Sequence, residues 1–118
     1  MHTDRTIDYV EFPARDLELA RTFYSRVFGW TFEEYGPDYR AFSDGRLDGG
    51  FFRSDRRSSA SEGAALVVLY ASDLEATRRR VEEHGGAIVQ DIFSFPGGRR
   101  FHFADPNGNE LAVWSEAG

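Results

Sequence analysis

The stretch YVEFPARDLELARTFYSRVFGW, Tyr9 to Trp30, and the stretch LVVLYASDLEATRRRVEEHGGA, Leu66 to Ala87, decide the fold between them. Offset by 57 residues, they match at seven positions: Val10/Val67, Ala14/Ala71, Asp16/Asp73, Leu17/Leu74, Glu18/Glu75, Arg21/Arg78 and Gly29/Gly86. The structural signals repeat as well. Each copy opens on a short run rich in β-branched or aromatic residues, Ile7 to Phe12 and Leu66 to Tyr70, which reads as a strand. A helix start follows. Ser72-Asp73-Leu74-Glu75 fits a capping box with serine at the cap, and Asp16 is the cap in the first copy. Leu17, Ala20, Tyr24, Val27 and Phe28 then form one apolar stripe, and Leu74, Thr77, Val81 and His84 a thinner one. Both helices stop at glycine, Gly29 and Gly85-Gly86, where a left-handed backbone is least costly.

Outward from these segments, each copy continues into three more strands. They are about 30–35, 39–43 and 49–53 in the first copy and about 87–93, 99–103 and 110–115 in the second. Gly36-Pro37-Asp38, Asp44-Gly45, Pro96-Gly97-Gly98 and Asp105-Pro106-Asn107-Gly108 separate them as turns. Ser54 to Gly63, rich in serine and arginine, reads as a mobile linker. The expectation is an α+β fold of two tandem βαβββ modules, about 6–53 and about 65–116 with a linker at about 54–64, in a single domain over 1–118.

Composition narrows the function. A net charge of −6 argues against a nucleic-acid partner. No apolar run approaches the roughly 20 residues of a membrane span, and Met1 to Thr6 carries no apolar core of a signal peptide. Cysteine is absent, which removes disulfides, thiolate ligands and cysteine nucleophiles; a cytoplasmic protein is the simplest expectation. All 14 basic residues are arginine, so lysine Schiff-base chemistry is excluded. Arg78-Arg79-Arg80 reads as a solvated helix face.

The order Asp16-Leu17-Glu18-Leu19-Ala20, Phe23-Tyr24, Val27-Phe28-Gly29-Trp30, Gly85-Gly86 and Phe103-Ala104-Asp105-Pro106-Asn107-Gly108-Asn109-Glu110 resembles the vicinal oxygen chelate superfamily. That superfamily includes glyoxalase I, extradiol dioxygenases and bleomycin-resistance proteins. The resemblance implies a partly open, cup-shaped mixed β-sheet with helices outside, a ligand in the cup, and often a homodimer, sometimes with modules of different chains completing one cup. It also implies metal ligands on the first and last strands of each module. Here those positions fall on Tyr9, Leu66, Ala112 and the neighbourhood of Gly50 to Phe52, so no metal or other cofactor is expected. A slip of two residues keeps the strand face and reaches Glu11 and Glu110, with His102 as a third donor, the alternative ligand set for a divalent metal.

Strand alternation names a provisional cup lining. It comprises Tyr9 and Glu11 from the first module and Leu66, Val68, Tyr70, His102, Glu110, Ala112 and Trp114 from the second, with Glu11 the one candidate base. Phe93, Phe95, Phe101 and Phe103 alternate onto one face, with Arg100 and His102 on the other. Such an aromatic, acidic cup suits an apolar or cationic small molecule. The leading expectation is a metal-independent small-molecule binding protein. The alternatives are a lyase, isomerase or dioxygenase that uses a metal, an enzyme with Glu11 as base, and a non-catalytic subunit with a filled cup.

Overall fold

The structure, a computed structural model, describes residues 2–116. Its elements run β1 (Tyr9–Ala14), α1 (Leu17–Phe28), β2 (Thr31–Glu34), β3 (Tyr39–Ser43), β4 (Asp48–Arg53), a 3₁₀ turn (Ala60–Glu62), β5 (Val67–Tyr70), α2 (Leu74–Glu83), β6 (Ala87–Phe95), β7 (Gly98–Ala104) and β8 (Glu110–Glu116). The βαβββ repeat is therefore present twice. Each module forms its own four-stranded mixed sheet, in the orders β1-β4-β3-β2 and β5-β8-β7-β6. In each, the first strand runs parallel to the last and the remaining neighbours are antiparallel. Both sheets are open, and β1 and β5 lie at unpaired edges. Among the described residues no helix is long and apolar enough to cross a membrane.

Local chemistry sets the helix ends. The Asp16 carboxylate accepts from the N–H groups of Glu18 and Leu19, and Gly29 closes α1 at φ 75°. At α2 the cap is Asp73 rather than Ser72. Its carboxylate accepts from Ala76 N–H. The C-cap there is His84, one residue before Gly85, whose φ of +100° carries the left-handed turn.

The core lies where α1 meets both sheets. Leu17, Ala20, Phe23, Tyr24 and Val27 turn inward from α1 against Phe12, Phe42 and Phe51 of the first sheet and Phe103 of the second. Only Leu74 and Val81 are buried from α2, as the thinner stripe foretold. Tyr24 stacks on Trp30 at 4.6 Å, and Trp30 on Phe42 at 4.5 Å, an offset aromatic column worth more than its area alone.

A polar clasp ties the modules together. The fully buried Tyr24 donates to Asp105 Oδ2 at 2.8 Å. The other Asp105 oxygen accepts from the N–H groups of Asn107 and Asn109, shaping the turn before β8. Asn107 accepts from the Asp16 N–H and donates to the Asp16 carbonyl, both across modules. Asn109 donates to the Pro13 carbonyl at 2.7 Å and accepts from Ser58 N–H at 2.7 Å. The segment read as a mobile linker is therefore held in place. Ser58 is hydrogen-bonded by Asn109 and Glu110, and Ala60 N–H donates to Glu110 Oε1.

Candidate functional site

Each sheet has one face against the helices and one facing away, and the second kind forms the candidate site. On β1, Val10, Phe12 and Ala14 turn toward the core, leaving Tyr9 and Glu11 on the outward face. Residues paired across a sheet share a face, so Asp48, Gly50 and Phe52 of β4 join them, followed by Tyr39, Ala41 and Ser43 of β3. Tyr39 is the residue that strand alternation did not single out. Its ring lies directly over Gly50, where an added Cβ would stand 1.9 Å from the phenol oxygen. From there Tyr39 donates to Glu11 Oε2 at 2.8 Å, and its oxygen meets that of Tyr9 at 2.6 Å. Because Glu11 takes the Tyr39 proton, Tyr9 is the donor in the second bond and the chain runs Tyr9 to Tyr39 to Glu11. Burial first, then the bonds to Tyr9 and Glu11 and the Glu11 charge, hold the Tyr39 phenol well above the usual tyrosine range. The cavity on this face, about 670 Å³, is lined by first-module residues including Tyr9, Glu33, Tyr35, Tyr39 and Asp48. Tyr35 donates to Glu33 at 2.6 Å, and that bond raises its pKa.

The outward face of the second sheet carries Val68, Tyr70, His102, Glu110, Ala112 and Trp114 in register. Leu66 lies one residue before β5 and is half-buried. Tyr70 packs edge-on against Trp114 at 5.1 Å and donates to Glu116, a bond that raises its pKa. His102 and Glu110 form a close pair, Nδ1 to Oε2 at 3.0 Å, with both side chains largely buried. The four phenylalanines do not share a face. Phe101 and Phe103 are wholly buried toward the core, whereas Phe93 and Phe95 stand on the outward face beside Arg100 and His102. The hairpin register produces this: Phe95 pairs with Gly98 and Phe93 with Arg100, so odd positions of β6 share a face with even positions of β7, and the two register shifts between Ile88 and Phe93 cancel in facing.

The residues expected to line a cup, Leu66 aside, lie on the outward sheet faces, Tyr9 and Glu11 on one sheet and the second-module residues on the other. Glu11 is engaged with Tyr39, and Glu110 with His102 and Ala60. Between the sheets lies a separate seam cavity of about 530 Å³, lined by Val10, Phe12 and Trp30 from one module and Val67, Tyr70 and Trp114 from the other. The metal positions implied by the resemblance hold Tyr9, Leu66, Ala112 and the glycine-phenylalanine run of β4, none a ready donor set. The alternative set fails as well: among the described residues, no group of three or more His, Asp or Glu could hold a metal ion.

Two open mixed sheets, each built from a βαβββ unit and joined through a buried polar clasp, define a paired-module fold. The chain belongs to the Glyoxalase/Bleomycin resistance protein/Dioxygenase superfamily, whose family model matches residues 6–113. It is 30% identical to a glyoxylase-like domain-containing protein of Didymella fabae, covering 95% of this chain and 94% of that one. It is 32% identical to the anthracycline biosynthesis protein DauV of Streptomyces sp. (strain C5), covering 84% of this chain but only 42% of that relative's length. In fold it matches the genomically encoded fosfomycin resistance protein FosX of Listeria monocytogenes with a TM-score of 0.80 at 12% identity, covering 98% and 96% of the two chains.

Proposed function

We propose that this chain is a cytoplasmic, homodimeric small-molecule binding protein that works without a metal and holds its ligand against aromatic and carboxylate side chains. The observation that carries this is the composition of the outward sheet faces. Tyr9, Tyr39 and Glu11 line one, and Tyr70, Trp114, His102 and Glu110 the other, with no donor set for a metal among the described residues. Flat aromatic ligands find stacking surfaces on both faces. The similarity to an anthracycline biosynthesis protein points the same way, since anthracyclines are fused-ring aromatics.

The dimer rests on the sheet edges. β1 and β5 each leave one edge unpaired, and Tyr9, Val68 and Tyr70 are exposed on them. Unpaired edges are templates for strand pairing. A second copy docking β1 against β5 would set the two outward faces side by side as one cup.

Elemental analysis of protein purified without a metal-affinity tag is the first test, repeated after adding nickel, zinc, manganese or iron(II). We expect no stoichiometric metal in any condition, and a higher melting temperature with flat aromatic ligands. Stoichiometric metal lost on Glu11→Gln or Glu110→Gln would overturn the reading. Sedimentation as a monomer at micromolar concentration would overturn the dimer.

A further inference from the structure

Two nitrogens of the second sheet are buried with no hydrogen-bond partner, Arg100 Nε and His102 Nε2. They sit two residues apart on the same face of β7. An unsatisfied buried polar atom is costly, so a pair of them on one sheet face asks for a ligand group that satisfies both.

The chemistry of that group follows from protonation. Glu110 accepts on both oxygens, from Ala60 N–H on one and from His102 Nδ1 on the other. A carboxylate offers no proton, so Nδ1 carries one, and in the neutral ring Nε2 presents a bare lone pair. Arg100 is the reverse, donor only, and it has no carboxylate partner among the described residues. A hydroxyl group answers both at once, its oxygen accepting from Arg100 and its hydrogen passing to His102 Nε2. A carboxylate or an ether answers only the arginine.

The surroundings say what carries the hydroxyl. The Arg100 guanidinium lies 5.3 Å from the Phe93 ring centre and 5.6 Å from that of Phe95. Phe93 is also 5.9 Å from the His102 ring, so one ring covers both orphan atoms. Beyond Phe95 comes Trp114, at 6.3 Å. Phe93 therefore stands where an aromatic ring already fits, lacking only the oxygen, and it stands on the bulged stretch of an edge strand, which gives way more readily than a regular one. We infer that the second sheet binds a phenol: a flat aromatic ring takes the place of the Phe93 side chain and its hydroxyl bridges Arg100 and His102. This rests on the small-molecule binding reading given above and names the ligand class for one half of the cup.

The test is a titration of the full chain with 4-methylphenol, 4-methylanisole and 4-methylbenzoate, followed calorimetrically. The phenol should bind at least about tenfold more tightly than either competitor, because each of those leaves one orphan unpaired. Arg100→Gln and His102→Phe should each lose about tenfold toward the phenol and little toward the anisole. Phe93→Ala should bind the phenol more tightly than the wild type, since no ring has to be displaced, and it keeps both polar groups should the other variants fail to fold. Equal binding of phenol and anisole would overturn the inference while leaving the aromatic cup standing. Equal or tighter binding of the benzoate would make this an anion site instead. Weaker binding by Phe93→Ala would refute the displaced ring, and binding of none of the three would remove the cup reading together with this one.

Discussion

Asn109 is wholly buried and holds three parts of the chain at once, so Asn109→Ala is the most informative single change to the scaffold. Its amide donates to the Pro13 carbonyl at the end of β1 and accepts from Ser58 N–H in the connecting segment, each at 2.7 Å. Alanine leaves both backbone groups without a partner. At about 1–3 kcal/mol for each stranded group, the loss is about 2–6 kcal/mol, a large part of the roughly 5–15 kcal/mol that holds a domain folded. For a chain of this size that is a fall in melting temperature of about 8–24 °C. Urea denaturation followed by tryptophan fluorescence measures it. The midpoint should drop while the slope is unchanged, because the surface exposed on unfolding stays the same. Asn109→Asp should fare no better: it keeps an acceptor for Ser58 but sets a second carboxylate 3.4 Å from Asp105 Oδ2. A loss under about 0.5 kcal/mol in Asn109→Ala, the ordinary range for surface substitutions, would refute the view that the clasp joins the modules.

Three further outcomes are expected. Burial raises the Asp105 carboxyl above the usual aspartate range despite its four hydrogen-bond donors. The folded state thus holds this proton more tightly than the unfolded one, and the Asp105 contribution to stability falls as pH rises from the unfolded value through the folded one; carbon-13 NMR titration placing it below 3.8 would contradict this. Glu18 moves the other way, lowered by hydrogen bonds from Arg21 and then Arg40, so its contribution is present above the unfolded pKa and fades as pH falls through the folded one. In Arg40→Met the Glu18 titration should return toward its ordinary value, and stability should drop by about 1–2 kcal/mol as the Gly36 and Tyr39 carbonyls lose a donor. Gly50→Ala should displace the Tyr39 ring, whose oxygen lies 1.9 Å from the added Cβ, costing about 1–3 kcal/mol and lowering the tyrosine titration seen in the ultraviolet; an unchanged titration would count against the Tyr9-Tyr39-Glu11 chain.

The fold was legible because its signals are local. Asp16, Gly29 and the α1 stripe act within a turn or two of themselves, and the repeat of Asp-Leu-Glu placed the second helix from the first. The faces of β1, β5 and β8 followed from alternation, which held because those strands have no bulge. It failed for Phe93 and Phe95 because the two-residue turn at Pro96-Gly97 pairs odd positions of β6 with even positions of β7, a register that alternation within one strand does not carry. Tyr39 went unnoticed for a different reason: its role depends on Gly50, across a strand pair, leaving room for a ring. Likewise Asn107 and Asn109 read as turn residues, which they are. Their side chains reach Asp16 and Pro13 some 91 and 96 positions away, a relation no local pattern carries. Nor could alternation foresee that one chain keeps Glu11 and Glu110 on separate sheets.

The clasp also bears on what would survive cutting the chain. The contacts between the halves run through Tyr24-Asp105, Asp16-Asn107, Pro13-Asn109 and the Phe23-Phe103 packing, and none of these uses the exposed stretch around Arg56 and Glu62 as a tether. A protease nick at that stretch would therefore leave two fragments that stay bound to each other. Expressed as separate peptides, the two halves each carry one of the outward sheet faces, so the chain is a natural candidate for a split protein whose reassembly reports on whatever brings its pieces together.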